Sequence, residues 1–364
     1  MTASLRSAVG SLLVVGLAGP ELTPLERAWL RVVQPGGIIL FRRNIEDAAQ
    51  TRALLSAATT HTAPHPMRAV DIEGGAVDRL RDAVAPMPAP QSVARTGKAT
   101  LMRRHGQLIA QEALAFGFNT TLAPVLDLGL PISAAVMGTR TASPDPAQVT
   151  EYARNFLQGL ATHGVTGCGK HFPGLGGGAL DSHHATPSIP RTFPEMWATD
   201  LAPYRDLVHT LPMVMVNHAA YPATRSGDKP ATASPYWVTT ILRRKLAYPG
   251  LIFSDDLEMG GILNHLPIED AILAAFRAGL HMAEICHSPE LILRAFDSLL
   301  RHAESSAAFR RLILTRAAEA AKLRRSLYAT PIPRALSATR LARLRDQILA
   351  FRATVDSAAP EVAQ

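Results

Sequence analysis

Short apolar runs alternate along the chain with longer amphipathic stretches. Each run ends in a polar or glycine-rich turn, so the runs predict buried strands at 12–17, 37–41, 68–71, 120–123, 164–169, 212–216, 250–254 and 281–285. Apolar residues at helical spacing fill the stretches 101–116, 146–163, 193–209, 235–246 and 268–278. This alternation predicts an α/β fold, a (β/α)8 TIM-type barrel with room for irregular elements. A doubly wound sheet is the alternative, but no G-x-G-x-x-G follows a first strand.

The first apolar run loosely mimics a secretion signal, because Arg6 precedes the stretch 9–17. We interpret residues 5–19 as a strand instead. The run ends in Gly-Pro-Glu-Leu, and Thr23, Pro24 and Glu26 then supply an N-cap, a proline in the first turn and a capping-box glutamate. A strand that leads into a helix is typical of the start of a barrel, and it favours a cytoplasmic protein.

No linker rich in Pro, Gly or Ser divides the chain before the Thr-Pro-Ile-Pro segment at 330–333. We therefore predict one catalytic barrel domain over residues 1–330. Residues 331–364 are predicted to form a C-terminal helical extension and a frayed tail, with the extra C-terminal helices packed on the barrel.

Charge, apolar run length and cysteine content argue against nucleic acid and membrane as partners and against a disulfide framework. The 364 residues carry a net charge of +7, but the basic residues are scattered or lie in the C-terminal helical part, which indicates a solvated helix face rather than a nucleic-acid surface. No apolar run reaches the roughly 18 residues that a membrane span needs. The two cysteines, Cys168 and Cys286, lie in apolar segments, so no disulfide framework is expected.

Two aspartates end the predicted strand at 250–254. Barrel active sites form at the carboxyl ends of the strands, so Asp255 and Asp256 are candidates for chemistry. A fixed carboxylate there can stabilise an oxocarbenium-like state at a sugar's anomeric carbon and then bond to it. A helix cap is the alternative role, and both hold if Asp255 reacts while Asp256 caps or orients.

A long glycine-rich loop carries a second candidate group. Asp181 and His183 are two residues apart, so in an extended segment they face the same side, where the carboxylate would orient the imidazole and raise its pKa. Such a pair can give and take a proton near neutral pH. A surface pair without function is the alternative, as is a zinc site that includes His184. The helical histidine spacing of zinc motifs is missing, so we expect neither metal nor cofactor.

Four further side chains at predicted strand ends are suited to holding a sugar: Asp71, Arg140, Lys170 and His171. Charged and planar groups of this kind bind hydroxyl and amide groups, and wrong sugars leave them unsatisfied. Glu73 and Arg79 fit equally well as a structural ion pair beneath the barrel rim.

In this order, the motifs resemble the family 3 glycoside hydrolases, specifically the bacterial β-N-acetylglucosaminidases of peptidoglycan recycling. The similarity runs from about residue 12 to 285, through Gly-Gly-Ile-Ile-Leu-Phe-Arg-Arg-Asn at 36–44, Asp-x-Glu-Gly-Gly-x-Val-x-Arg at 71–79, Ala-Pro-Val-Leu-Asp at 123–127, Lys-His-Phe-Pro-Gly at 170–174, Asp-Ser-His at 181–183 and Ser-Asp-Asp-Leu-x-Met at 254–259.

The resemblance implies a retaining double displacement with Asp255 as nucleophile, His183 as acid/base and Asp181 as its partner. It implies that the terminal N-acetylglucosamine is bound by residues on several strands: Asp71, Arg79, Arg140, Lys170, His171 and, less directly, His218. The implied substrate is a muropeptide with N-acetylglucosamine linked to anhydro-N-acetylmuramic acid, and the implied protein is a cytoplasmic monomer. A phosphorylase with the same nucleophile and a sugar-binding homologue with weakened turnover stay open as alternatives.

Two segments depart from the family pattern. The loop usually reads Pro-Gly-His-Gly-Asp-Thr, whereas here Leu175, Gly176, Gly177 and Gly178 follow Pro-Gly, which predicts lost hydrogen bonds in the loop. The pattern Ala-Gly-x-Asp-Met has His281 in place of its aspartate, which predicts a missing carboxylate near the site.

Overall fold

A computed structural model describes residues 4–178 and 186–358. Its centre is a sheet of eight parallel strands: β1 Leu13–Gly16, β2 Gly37–Leu40, β3 Met67–Val70, β4 Thr120–Thr121, β5 Cys168–Phe172, β6 Met213–Val216, β7 Leu251–Asp256 and β8 Met282–Ile285. The spatial order is β4-β3-β2-β1-β8-β7-β6-β5. Single parallel bridges, Thr120 to Thr166 and Val125 to Lys170, join the two edges. The predicted α/β barrel is therefore confirmed.

Helices surround this barrel. They are α1 Leu5–Gly10, α2 Pro24–Val33, α3 Ala48–Thr59, α4 Pro90–Arg95, α5 Ala99–Phe116, α6 Ala134–Met137, α7 Pro146–Ala161, α8 Phe193–Ala198, α9 Ala202–Asp206, α10 Gly260–Leu263, α11 Ile268–Ala278, α12 Pro289–Ser305, α13 Ala307–Leu327 and α14 Ala338–Ala358. A π-helix spans Tyr236–Lys245. Short 3-10 turns occupy Arg42–Asn44, Pro131–Ser133, Gly138–Arg140 and Ala231–Ala233.

The start of the chain is only partly as predicted. Residues 5–10 form a helix that Ser4 caps, so the strand predicted from residue 5 begins only at Leu13. The capping box of α2 is present: Thr23 Oγ1 accepts from the Glu26 N–H at 3.1 Å, and Glu26 accepts from the Thr23 N–H at 2.8 Å. This paired cap fixes the turn between β1 and α2.

Two other elements differ from the prediction. The strand expected at 164–169 lies at Cys168–Phe172, because the turn after α7 extends to Gly164 and Thr166 makes an isolated bridge with Thr120. Lys170 and His171 are thus inside β5, where the polar residues had suggested that the strand was over. The helix expected at 193–209 is split into α8 and α9; Pro203 has no N–H to continue a helix and lies in the first turn of α9.

The C-terminal helix α14 packs on α4 and α5. Its inward face consists of Leu344, Ile348, Phe351 and Val355, all buried. The Phe351 ring stacks on the buried ring of His105 in α5, with centroids 5.9 Å apart. The boundary predicted at residue 330 stays a prediction. No helix within residues 4–178 and 186–358 is long and apolar enough to span a membrane.

Candidate active site

A cavity of about 350 Å³ opens at the carboxyl ends of the strands. Among the described residues, polar side chains from five segments line it, together with Phe41, Val77, Leu122, Val136, Met137, Leu175, Met215, Met259 and Cys286. The polar lining comprises Asp71, Arg79, Arg140, Lys170, His171, Asp255, Asp256, Glu284 and His287. The cavity therefore joins the sugar-binding residues predicted after β3 and in β5 to the aspartates of β7.

A network of buried ion pairs forms one wall. Lys170 Nζ lies 2.9 Å from Asp71 Oδ1 and 2.7 Å from Glu73 Oε1. The Arg140 guanidinium binds both oxygens of Glu73, each at 2.8 Å. Arg79 approaches Asp71 more loosely, at 3.7 Å. The Lys170 side chain is only 3% exposed, so these charges are held in a low-dielectric setting where pairing matters most.

The same network fixes the charges of its members. Burial opposes ionisation of Asp71, but Lys170 and Arg79 outweigh it and hold the pKa of Asp71 below its ordinary value. Burial likewise opposes ionisation of Glu73, and Arg140 and Lys170 hold the pKa of Glu73 well below its usual range. The two carboxylates in turn raise the pKa of Lys170 against the effect of burial. The wall therefore presents fixed donors and acceptors to a ligand.

Glu73 reaches this network from a hairpin that follows β3. Its strands are Ile72–Gly74 and Val77–Asp78, joined through Gly74 at φ +96° and Gly75 at φ +63°. A Cβ on Gly74 would lie 2.2 Å from the carbonyl oxygen of Pro88. The turn therefore requires glycine both for its backbone angle and for the close approach of the neighbouring chain.

Asp127 holds His171 in place. Its Oδ2 lies 2.6 Å from His171 Nδ1 and accepts the His171 backbone N–H at 3.2 Å, while Oδ1 accepts the Leu175 N–H at 2.7 Å. With Nδ1 bound to this buried carboxylate, the ring of His171 is fixed where it lines the cavity. Asp127 belongs to the Ala-Pro-Val-Leu-Asp motif at 123–127, but no role was predicted for it.

Asp255 lies at the end of β7, where its Oδ1 accepts the backbone N–H of Asp256 at 3.0 Å. Asp256 turns toward the following segments and accepts the N–H groups of Glu258 at 3.0 Å and Cys286 at 3.2 Å. These contacts fix the backbone after β7 and β8, and the capping or orienting role expected for Asp256 stays a prediction. Asp255 keeps its carboxylate at the cavity, where the nucleophile was predicted.

His218 is fully buried and does not line the cavity. Its Nδ1 pairs with Thr232 Oγ1 at 2.9 Å, and its Nε2 pairs with the carbonyl oxygen of Asp256 at 2.9 Å. Burial lowers the pKa of His218 despite the nearby aspartates. These contacts support the backbone of β7, and a direct contact of His218 with substrate stays a prediction.

The rim of the cavity carries a cluster of Asp256, Glu258 and His287, whose potential metal-ligating atoms lie within 4.8 Å of one another. Glu258 already accepts the backbone N–H groups of Cys286 at 2.8 Å, Ser288 at 2.7 Å and His287. The cluster therefore anchors the turn after β8. The His287 ring also stacks on Phe41, with centroids 5.3 Å apart.

The predicted acid/base pair, Asp181 and His183, lies outside the described residues, as does His184. The other predicted substrate-binding residues except His218 converge on the cavity. Reasoning from sequence missed Asp127 as the holder of His171, and it missed Glu284, a polar residue inside an apolar strand. The polar interruption of the run 281–285 was the available signal for Glu284.

The departures from the family pattern have different consequences. Leu175 lines the cavity and keeps a backbone hydrogen bond to Asp127, and the Gly178 N–H donates to the Leu175 carbonyl oxygen at 2.9 Å. His281 lies before β8, at the opposite end of the barrel, where its Nδ1 accepts the Ile252 N–H at 3.0 Å. The expectation that residue 281 removes a carboxylate near the site is therefore wrong.

Comparisons with known proteins agree with this geometry. The description "Glycosyl hydrolase family 3 N terminal domain" belongs to the family model that matches residues 4–313. A β-hexosaminidase of Alkalilimnicola ehrlichii is 38% identical, over 80% of this chain and 83% of its own. A β-hexosaminidase of Pseudomonas aeruginosa is 39% identical, over 79% of this chain and 86% of its own.

Solved structures of similar fold point the same way. NagZ from Neisseria gonorrhoeae, in complex with N-trifluoroacetyl-D-glucosamine, superimposes with a TM-score of 0.76 at 29% identity, covering 96% of this chain and 98% of its own. A family 3 β-N-acetylglucosaminidase from Paenibacillus sp. str. FPU-7 has a TM-score of 0.86 at 28% identity, covering 96% of this chain and 69% of its own. With the barrel, the cavity and the matched motifs in agreement, the chain belongs to glycosyl hydrolase family 3.

Proposed function

We propose that this glycoside hydrolase is a retaining exo-β-N-acetylglucosaminidase that removes terminal N-acetylglucosamine from peptidoglycan fragments. The β-N-acetylhexosaminidase activity is supported by the β-hexosaminidase relatives, which match about four fifths of the chain. The observation that carries the proposal is the placement of the Asp255 carboxylate in one cavity with Asp71, Lys170 and His171. N-Acetylglucosamine linked to anhydro-N-acetylmuramic acid is the proposed muropeptide core.

The proposed reaction has two displacements. The Asp255 carboxylate bonds to the anomeric carbon as the glycosidic bond breaks, and the leaving oxygen takes a proton from His183, whose partner is Asp181. Water then attacks the anomeric carbon, gives its proton to His183 and frees Asp255, so that the β configuration is retained. The roles of His183 and Asp181 rest on the family resemblance.

The buried network accounts for how the sugar would be held. Lys170 and Arg140 donate, the Asp71 carboxylate accepts, and all are fixed before substrate arrives. Prepositioned groups lose little further entropy when the sugar binds, and a sugar that lacks a matching hydroxyl leaves a buried charge unsatisfied. Arg79 lines the cavity with Phe41, 5.8 Å from the centroid of its ring, which supports a contact between Arg79 and the outer part of the substrate.

Covalent trapping tests the nucleophile. We expect the protein to hydrolyse an aryl β-N-acetylglucosaminide, and a 5-fluoro sugar to label the peptide that contains Asp255 in mass spectrometry. Asp255→Ala is expected to abolish turnover, whereas the matched control Asp297→Ala, on the exposed side of α12, keeps wild-type turnover. Label on a different peptide would overturn the assignment of Asp255.

Leaving-group dependence tests His183. We expect His183→Ala to slow substrates with poor leaving groups more than activated aryl substrates, because only the former need protonation. Equal loss for both types would count against His183 as the acid.

Product analysis of a muropeptide with and without phosphate then separates hydrolysis from phosphorolysis, since only a phosphorylase yields a sugar 1-phosphate. Cytoplasmic location and a monomeric state remain predictions.

A further inference from the structure

Glu284 brings an additional carboxyl group to the cavity. It lies in β8, where its Cα pairs in register with Val14 of β1 and Asp256 of β7. Its backbone N–H donates to Ser254 Oγ at 2.9 Å, which fixes the strand beside β7. The residue is 3% exposed and lines the cavity beside Asp255, yet its neighbours in β8 are apolar.

The two oxygens of this carboxyl group have different surroundings. Oε1 accepts from the Sγ of Cys286 at 3.0 Å. Oε2 is buried and has no hydrogen-bond partner within residues 4–178 and 186–358. A buried polar atom without a partner is costly, so a group that enters the cavity and pairs with Oε2 would gain from doing so.

The surroundings of Glu284 favour its protonated form. Burial raises the pKa of Glu284 well above its ordinary value, and the nearby carboxylates of Asp256, Asp71 and Asp255 raise it further. The thiol of Cys286 opposes this with one weak hydrogen bond. Because the thiol donates to Oε1, that oxygen acts as the carbonyl, and the proton belongs on Oε2.

We infer that Glu284 binds the sugar as a neutral carboxylic acid and donates the Oε2 hydroxyl to a hydroxyl or amide oxygen of the ligand. This inference rests on the proposed function, because it takes the saccharide to be the occupant of this cavity. Asp71, whose pKa is held low, can only accept hydrogen bonds when it is ionised, so Glu284 adds a neutral donor to the cavity. It would therefore help to select for a sugar with an acceptor oxygen at this position.

Binding of N-acetylglucosamine by calorimetry near pH 6 tests the donor. Glu284→Gln keeps a donor and a similar shape, so we expect a dissociation constant within about threefold of wild type, since one neutral hydrogen bond replaces another. Glu284→Leu keeps the volume but removes the donor, and we expect binding to weaken about 5- to 150-fold, the range for a lost hydrogen bond. Repeating the titrations with glucose shows whether the acceptor is the amide or a ring hydroxyl.

Glu112→Gln is the matched control. Glu112 in α5 is another fully buried acid, with both oxygens unpartnered among the described residues and its pKa raised by burial and by Asp78, but it does not line the cavity. We expect this variant to bind N-acetylglucosamine as tightly as wild type. Melting temperatures measured alongside show whether each variant is folded.

A pH series supplies a second readout, which holds even if Glu284→Leu does not fold. The titratable groups that interact with Glu284 are Asp71, Asp255, Asp256, Cys286 and Cys168, and β1 adds no titratable side chain. Wild-type binding should weaken at alkaline pH when Glu284 loses its proton, and Glu284→Gln should lack this loss, whereas a pH effect that does not come from Glu284 should be the same in both proteins.

The outcomes separate this inference from the proposed function. Wild-type protein that neither binds N-acetylglucosamine nor turns over its aryl glycoside would overturn both. Wild-type binding that Glu284→Leu retains in full, or an identical alkaline loss in wild type and Glu284→Gln, would overturn only the role of Glu284.

Discussion

Lys170→Met should destabilise the fold strongly, because Lys170 neutralises two buried carboxylates at once. With methionine in its place, the ion pairs left within residues 4–178 and 186–358 are Arg79 with Asp71, at 3.7 Å, and Arg140 with Glu73. Breaking a buried ion pair by removal of one partner costs about 3–5 kcal/mol. With an unfolding entropy of about 2.1 cal/mol/K per residue, the 364-residue chain should lose about 4–7 °C in Tm at neutral pH.

The pH dependence of this loss has a definite sign. In the wild type the pKa of Asp71 is lowered, so its contribution to stability is present above the unfolded pKa and is lost as the pH falls through the folded pKa. Without Lys170, burial dominates and the pKa of Asp71 should rise above its ordinary value. The difference in Tm between variant and wild type should therefore shrink as the pH falls from 7 toward 4.

Thermal unfolding followed by circular dichroism measures both effects. Arg294→Met is the matched control, since Arg294 is 45% exposed and pairs with Glu269 on the surface, where a pair is worth about 1 kcal/mol or less. Adding Asp71→Asn to Lys170→Met removes one orphaned charge and should restore part of the lost Tm. A double variant no more stable than Lys170→Met, or a loss that is the same at pH 4 and pH 7, would refute the reasoning.

Three further predictions concern single residues. Asp127→Asn should lower kcat/KM on an aryl β-N-acetylglucosaminide by about 10- to 150-fold, the effect of losing a charge-assisted hydrogen bond, and unchanged kinetics would contradict its positioning role. Phe351→Ala should lower the free energy of unfolding in denaturant titration by about 3–5 kcal/mol, and a cost below about 1 kcal/mol would mean that α14 is loosely attached. Gly74→Ala should lower the free energy of unfolding by more than the backbone strain of about 1–3 kcal/mol, because the added Cβ meets the Pro88 carbonyl. Gly97→Ala, at φ +61° with open space around it, should show only the loss that comes from strain. Equal losses of Tm in the two variants would contradict this.

The barrel could be predicted from the sequence because each buried strand is a short apolar run followed by a turn. The prediction was least accurate at β5, where Lys170 and His171 occupy strand positions that face the cavity. A rule that ends strands at polar residues fails where a barrel uses its interior for binding. For the same reason no role was predicted for Glu284, because a polar residue inside an apolar strand is explained only by its position in the cavity.

Contacts between side chains from distant segments could not be predicted from the sequence. Nothing in the spacing between Asp127 and His171 shows that their side chains meet, because the contact depends on the neighbouring positions of β4 and β5. His281 is a different case: the family pattern implied a carboxylate near the site at this position, but the direction of β8 places residue 281 at the other end of the barrel. Polar residues that precede β8 face the end of the barrel away from the cavity.

The stacking of Phe351 on His105 connects helix α14 to the hairpin that carries Glu73. On its other side, His105 Nε2 would lie 3.0 Å from a Cβ on Gly74, so the imidazole is wedged between α14 and the hairpin that carries Glu73. Removing α14 would leave His105 without the Phe351 ring and would expose to water the apolar surface of α4 and α5 that α14 covers. Helix α14 thus supports, through His105, a turn nearly 280 residues earlier in the chain, although none of its residues lines the cavity.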